Sequence, residues 1–148
     1  MNELKPFDDK LAGLLASLSP AGRRKMAAEI AKKLRASQQQ RIKQQKAPDG
    51  TPYAKRKRQP VRGKKGRVKR EMFAKLRTAR YLKTKSSSEA AVAEFAARVQ
   101  RIAQIHQEGL RDKPNRYSKP VQYSARPLLG FSPDDCIIIE DIIFSCLG

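Results

Sequence analysis

The stretch LSPAGRRKMAAEIAKKLRASQQQRIKQQK, residues 18–46, decides the fold. Ser19 supplies a side-chain oxygen that can accept from the first free N–H groups of a helix, and Pro20 has the fixed φ that suits a first helical position. Behind them Met26, Ala27, Ile30, Ala31, Leu34 and Ile42 recur at helical spacing. Gly22 falls in the first turn, where it does little harm, and no other Gly or Pro occurs before Pro48. The pattern predicts one long helix over residues 20–46. From Ser37 to Lys46 nearly every residue is polar, so this half is expected to project from the core or to meet a partner.

Upstream, Phe7, Leu11, Leu14, Leu15 and Leu18 form a second helical stripe over residues 5–18. Downstream, Pro48-Asp49-Gly50-Thr51-Pro52-Tyr53 reads as a turn, with Gly and Pro flanking an Asp that can bond its own backbone. Composition then shifts sharply. Residues 54–85 hold fifteen Lys or Arg against one acid, Glu71, which is +14 of the formal +19 of the whole chain. Residues 55–70 have almost no apolar side chain and contain Gly63 and Gly66, so they are expected to form a mobile basic arm rather than core.

Beyond the arm, Met72-Phe73-Ala74-Lys75-Leu76 predicts a short helix or helical turn. Tyr81, Lys83 and Lys85 alternate with Leu82 and Thr84, and residues 90–95 follow a Ser-rich turn, which predicts a hairpin. Val99, Ile102, Ala103 and His106 share one face of a helix over residues 97–108, with Ile105 flanking that face and Gly109 placed as a C-terminal cap. Residues 112–119 are a polar loop. Residues 121–129 read as an extended segment that Pro127 confines to a sheet edge or bulge. Ser132-Pro133-Asp134-Asp135 is a helix start: a cap, a Pro, and acids against the helix dipole. Ile139 and Ile143 of that last helix are expected to pack on the long helix and the sheet. The fold class is α+β: long N-terminal helices, a small antiparallel sheet, a C-terminal helix and a basic flexible arm, in a single domain over residues 1–148 with the arm at about 54–71.

The chemistry is one of charge. A net +19 points to nucleic acid or other anionic surfaces as partners. The arm cations Lys55, Arg56, Lys57, Arg58, Arg62, Lys64, Lys65, Arg67, Lys69 and Arg70 are the candidate anion- or partner-binding residues. Aromatic residues for base stacking are few: Tyr53, Phe73 and Tyr81 only flank the arm, which argues against single-strand or sequence-specific readout. His106 is the one histidine and reads as structural, with no nucleophile or metal partner in pattern. No G-x-S-x-G, H-E-x-x-H or P-loop motif occurs, Gly63 and Gly66 do not sit in one, and Asp134 and Asp135 are explained by the helix start. No catalytic residue, cofactor or metal is therefore expected. Cys136 and Cys146, ten apart in one apolar segment, are read as two buried thiols that cannot reach each other along a helix. The N-terminus lacks the basic-then-apolar order of a signal peptide, and no apolar run approaches the ~20 residues of a membrane span. The protein is expected to fold and act in the cytoplasm, without a membrane partner.

Several phrases in order carry a family resemblance: Leu18-Ser19-Pro20 with Arg23-Arg24; Ser37-Gln38-Gln39-Gln40-Arg41-Ile42 leading to Gln45; the Pro48 to Tyr53 turn; Lys69-Arg70 running into Met72-Phe73; Arg98-Val99 and Ile102-Ala103 before His106-Gln107 and Gly109-Leu110; and Ala125-Arg126-Pro127-Leu128-Leu129-Gly130. Together they resemble the phage virion morphogenesis family, whose members include tail completion proteins of contractile-tailed temperate phages. One stretch departs: Ala93-Glu94-Phe95-Ala96-Ala97 stands where that pattern has a strand and a Gly. The resemblance implies a non-catalytic tail terminator that caps the tail tube and enables head–tail joining. Its implied partners are tail tube and head–tail connector proteins and further copies of itself in a ring, with sixfold symmetry suggested by the place on the tail. It implies assembly in the host cytoplasm and residence in the virion neck. Tyr123, Arg126 and Leu128 are the candidate subunit-interface residues, on the reading that the extended segment offers an edge and that Arg126 points to solvent or a neighbour. The other reading has Leu128 and Leu129 simply filling the core. A basic nucleic-acid-binding protein of ribosomal or nucleoid type, with non-specific DNA contact, is the competing function.

Overall fold

The computed structural model describes residues 5–56 and 71–147, and within them four α-helices and two short antiparallel sheets follow one another. Helix α1 spans Lys5–Ala16 and α2 spans Pro20–Lys43. Ser19 is extended and its hydroxyl accepts from the Gly22 N–H at 3.0 Å, with Pro20 opening the helix. Helix α2 stops short of residue 46. Gln45 turns left-handed at φ 60°, and the Lys46 N–H reaches back to the Arg41 carbonyl at 3.3 Å while that of Gln45 bonds Ile42 O at 2.9 Å. This paired closure normally uses Gly. Gln45 holds the position with its side-chain amide, which donates to Ile42 O at 2.8 Å and Met72 O at 2.9 Å.

Helix α2 threads two apolar clusters. Met26, Ile30 and Leu34 of its first half pack with Ile142 and Ile143 of the C-terminal helix α4, Pro133–Leu147. Leu15, Leu18, Ala91, Ala93 and Ile139 close this cluster. Ile42 from the other half of α2 packs with Tyr53, Leu82, Phe95, Ala103 and Leu128. The predicted hairpin lies across both: β1, Leu82–Ser86, pairs antiparallel with β2, Ala91–Phe95, in the register Leu82 to Phe95 and Ser86 to Ala91. Alternation puts Ala91, Ala93 and Phe95 on the core face, while Lys85 meets Glu94 at 3.1 Å on the outside.

The polar half of α2 does not project. Gln38 and Arg41 are buried, and they form a polar joint between the clusters. Arg41 Nη1 bonds the Asp135 carboxylate at 3.0 Å, and its Nη2 reaches the carbonyls of Leu128 and Gly130 at 3.3 and 3.2 Å. Ser37 and Gln38 also donate to Asp135, and the Gly130 N–H donates to Gln38 Oε1 at 3.1 Å. Gln39 donates to Arg77 O at 2.8 Å. Arg41, Gln38 and Gln39 thereby satisfy loop carbonyls or amides that would otherwise lack a partner. A period count cannot see this, because it scores Gln and Arg as solvent-facing.

Residues 72–77 form successive turns rather than a helix, with Phe73 left-handed at φ 65°. A short 3-10 turn, Ala97–Val99, leads into α3, Gln100–Glu108, which ends at the left-handed Gly109. Its buried face is rotated from the expected one: Ala103 and Ile105 are buried, whereas Ile102 is half exposed. Strands β3, Arg111–Asp112, and β4, Val121–Gln122, make a two-residue ladder. Helix α4 starts as expected. The Ser132 hydroxyl accepts from Asp135 N at 3.1 Å and the Asp135 carboxylate accepts from Ser132 N at 3.0 Å, a reciprocal cap. Cys136, expected to be buried, is exposed because Asp135, Ile142 and Ile143 take the inner face; Cys146 is half-buried, and both thiols are free.

Candidate functional site

The segment from Tyr123 to Arg126, expected to offer an edge, has backbone N–H groups already bonded within the chain, and Leu128 follows the other reading, that it fills the core. The Tyr123 N–H donates to Leu110 O at 3.1 Å and that of Arg126 to His106 O at 2.7 Å. Gln107 then acts as a surrogate strand: its Oε1 accepts from the N–H groups of Leu128 and Leu129 at 2.7 and 2.9 Å, and its Nε2 donates to Leu129 O at 2.9 Å. Leu128 is fully buried in the core. Arg126 does not point outward: it is buried, and its guanidinium donates to Ala54 O at 2.8 Å and Lys55 O at 3.1 Å. The carbonyls it holds lie at the root of the basic stretch. Burial, and then the Arg56 cation, hold Arg126 below its ordinary value. Of the three interface candidates Tyr123 alone keeps partial exposure.

Beside that root lies a groove of about 700 Å³. Its floor is aromatic: Phe73, His106 and Tyr123 follow one another edge to face with Tyr53 behind Phe73, and from Tyr53 onward the ring centres are 5.7, 5.0 and 5.0 Å apart, a geometry that aromatic quadrupoles favour. Phe73, His106 and Tyr123 line the groove, with Met72, Leu76, Ile102 and Val121 adding apolar walls. Among the described residues its cations are Lys55, Arg56, Lys75 and Arg126, against the single acid Glu71. Tyr53 lies under Phe73; its hydroxyl donates to Pro127 O at 2.8 Å, and burial, opposed by Arg41, pushes it up to about 12. Burial, followed by the neighbouring Arg126 cation, holds His106 below the usual histidine value, so the neutral ring is favoured. Its Nδ1 is buried without a partner among the described residues.

Of the candidate anion-binding residues, Lys55 and Arg56 are exposed at this groove. Lys57, Arg58, Arg62, Lys64, Lys65, Arg67, Lys69 and Arg70 lie outside the described residues, and so does the 57–70 part of the expected mobile arm. The sequence reading missed Gln107, Arg41 and the groove floor. His106-Gln107 and Gly109 stood close together as a signal, but their partners come from residues 123–129. Among the described residues no group of three His, Cys, Asp or Glu side chains is placed to hold a metal ion, and no helix is long and apolar enough to cross a membrane.

The arrangement is that of a small, strongly basic α+β protein with two cores joined by a buried ion pair and an aromatic-floored groove on its surface. The chain belongs to the phage virion morphogenesis family, whose pattern matches residues 2–148. It is 54% identical over 148 residues, 99% of each chain, to Tail completion protein S of Escherichia phage P2. No solved structure is significantly similar to it.

Proposed function

We propose that the chain completes the tail of a tailed phage, capping the tail tube so that the head can join, and that it acts by binding rather than by catalysis. The observation that carries this reading is the end-to-end identity with a tail completion protein, 54% over 99% of both chains. The partners are then tail tube and head–tail connector proteins and further copies of the chain in a ring, sixfold where the tail is sixfold. Assembly takes place in the host cytoplasm and the product stays in the virion. The cations Lys55, Arg56, Lys57, Arg58, Arg62, Lys64, Lys65, Arg67, Lys69 and Arg70 draw the protein to anionic protein or DNA surfaces, an attraction that weakens with salt. Tyr123, partly exposed at the groove, belongs to the contact surface. A ribosomal- or nucleoid-type role shares the charge but not the end-to-end likeness to a tail protein.

The test is complementation of a phage lacking the protein. The wild-type chain restores infectious particles. A variant carrying Arg56→Ser, Lys57→Ser, Arg58→Ser, Lys64→Ser and Lys65→Ser gives folded protein and intact heads, with tails that fail to join. Tails of normal length joined to heads with no protein supplied would overturn the assignment.

A further inference from the structure

Helix α4 is apolar on both sides. Its inner face packs Ile142 and Ile143 into the core, yet Ile137 and Phe144 are 54% and 52% exposed on the opposite side. They stand seven residues apart, two helical turns, and so stack on one line, with exposed Glu140 and Asp141 to either side. Helix α4 carries four acids and no Lys or Arg in a chain of +19. An exposed apolar ridge rimmed by charged residues is the pattern of a contact surface, and here the ridge is open.

The groove is the complement of that ridge in shape and in most of its charge. It is concave, its floor offers Phe73 and Tyr123 with Ile102 in a wall, and exposed Lys55, Arg56 and Lys75 line it, outnumbering the acid Glu71. No α4 residue lines it. Two α4 faces cannot pair with each other, since Glu140 and Asp141 would meet their own kind, and two grooves would oppose cation to cation. The complementary match is α4 of one copy in the groove of the next. A contact between two different patches of one chain is head-to-tail, and such contacts close into rings when the rotation allows.

We propose that a second copy of this chain seats the Ile137–Phe144 ridge of its α4 in the groove, with Glu140 and Asp141 against Lys55, Arg56 and Lys75. The inference deepens the proposed function by naming the surfaces of the ring. Its test uses purified full-length protein, so it is separate from complementation: a variant that self-associates normally yet fails to complete tails counts against tail contacts, not against this interface.

The experiment is light scattering on two charge-reversed variants. One carries Glu140→Lys and Asp141→Lys; the other carries Lys55→Glu, Arg56→Glu and Lys75→Glu. All five side chains are exposed, and unchanged thermal unfolding checks that each variant is folded. Wild-type protein is expected to self-associate, and each variant alone to weaken association at least tenfold. An equimolar mixture is expected to assemble again, because each variant's helix then matches the other's groove, and so is a chain carrying all five substitutions. Monomeric wild-type protein up to its solubility limit overturns the proposal. So does loss of assembly in only one variant or in neither, or failure of the mixture and the five-fold variant to recover. Loss of DNA binding by the groove variant with self-association intact would assign the groove to nucleic acid and likewise overturn it.

Discussion

Arg41 and Asp135, 94 positions apart, meet at 3.0 Å with the carboxylate fully buried. The pair couples α2 to the first turn of α4 and ties residues 128–130 to both. Removing one partner leaves the other charge buried and unpaired, which costs roughly 3–5 kcal/mol. Asp135→Leu is expected to lower stability by about that amount in urea unfolding. The pair Arg41→Met with Asp135→Leu is expected to cost clearly less than the sum of the single changes, because it removes both charges. Additive losses would show that the two residues act independently.

Stability should fall as pH is lowered, in two stages. Burial raises the Asp135 carboxyl, but the Ser132 N–H, the Ser37 hydroxyl, Arg41 and Gln38 together leave it below the usual carboxylate value. Its contribution is complete above the unfolded value of ~3.9 and is lost as pH falls through the folded one. His106 acts earlier and with the same sign. Its folded value is depressed by burial and Arg126, so the unfolded chain takes up a proton first as pH drops below ~6.5. Urea midpoints between about pH 7 and 3 read both stages. His106→Gln should abolish the upper stage and keep the lower; a wild-type midpoint unchanged across the upper range would refute the buried neutral ring.

Gly109 caps α3 at φ 69°, and a Cβ there would stand 2.7 Å from Ala125 N and 2.9 Å from Ala125 Cα. Gly109→Ala therefore meets two penalties, a left-handed conformation worth about 1–2 kcal/mol and a clash with backbone that cannot swing away. The expected loss exceeds the conformational cost alone. A variant as stable as the wild type would mean that residues 123–129 do not dock against this helix end.

These elements differ in how far the sequence reveals them. Ser19-Pro20, Gly109 and Ser132-Pro133 act on their own helix ends, so the helices and the hairpin are legible locally. Arg41, Gln38 and Gln107 act on backbone groups far along the chain, and hydrophobic spacing carries no trace of that. Arg126 was read as outward-facing because charged side chains usually seek water; two carbonyls of residues 54 and 55 supply the solvation instead. The groove was illegible for the same reason. It is assembled from residues 55–56, 71–76, 102, 106, 114, 121–124 and 126, which no local window joins.

Adjacent residues on α4 separate folding from assembly. Ile143 is buried against α2, and Ile143→Asp places an unpaired charge in the core, a loss large enough against a total stability of about 5–15 kcal/mol to abolish cooperative unfolding. Phe144 faces away at 52% exposure and is not a member of the core cluster on that side, so Phe144→Ser leaves the cluster intact. Surface changes of this kind usually alter stability by less than about 0.5 kcal/mol. If the ridge seats in a neighbouring groove, Phe144→Ser should keep the wild-type melting temperature while weakening self-association at least tenfold, since a central aromatic anchor carries much of an interface. Circular dichroism and light scattering on the two variants distinguish the roles. A cooperative wild-type transition for Ile143→Asp would remove it from the core, and a Phe144→Ser protein that associates like the wild type would leave the outer face of α4 without the contact assigned to it.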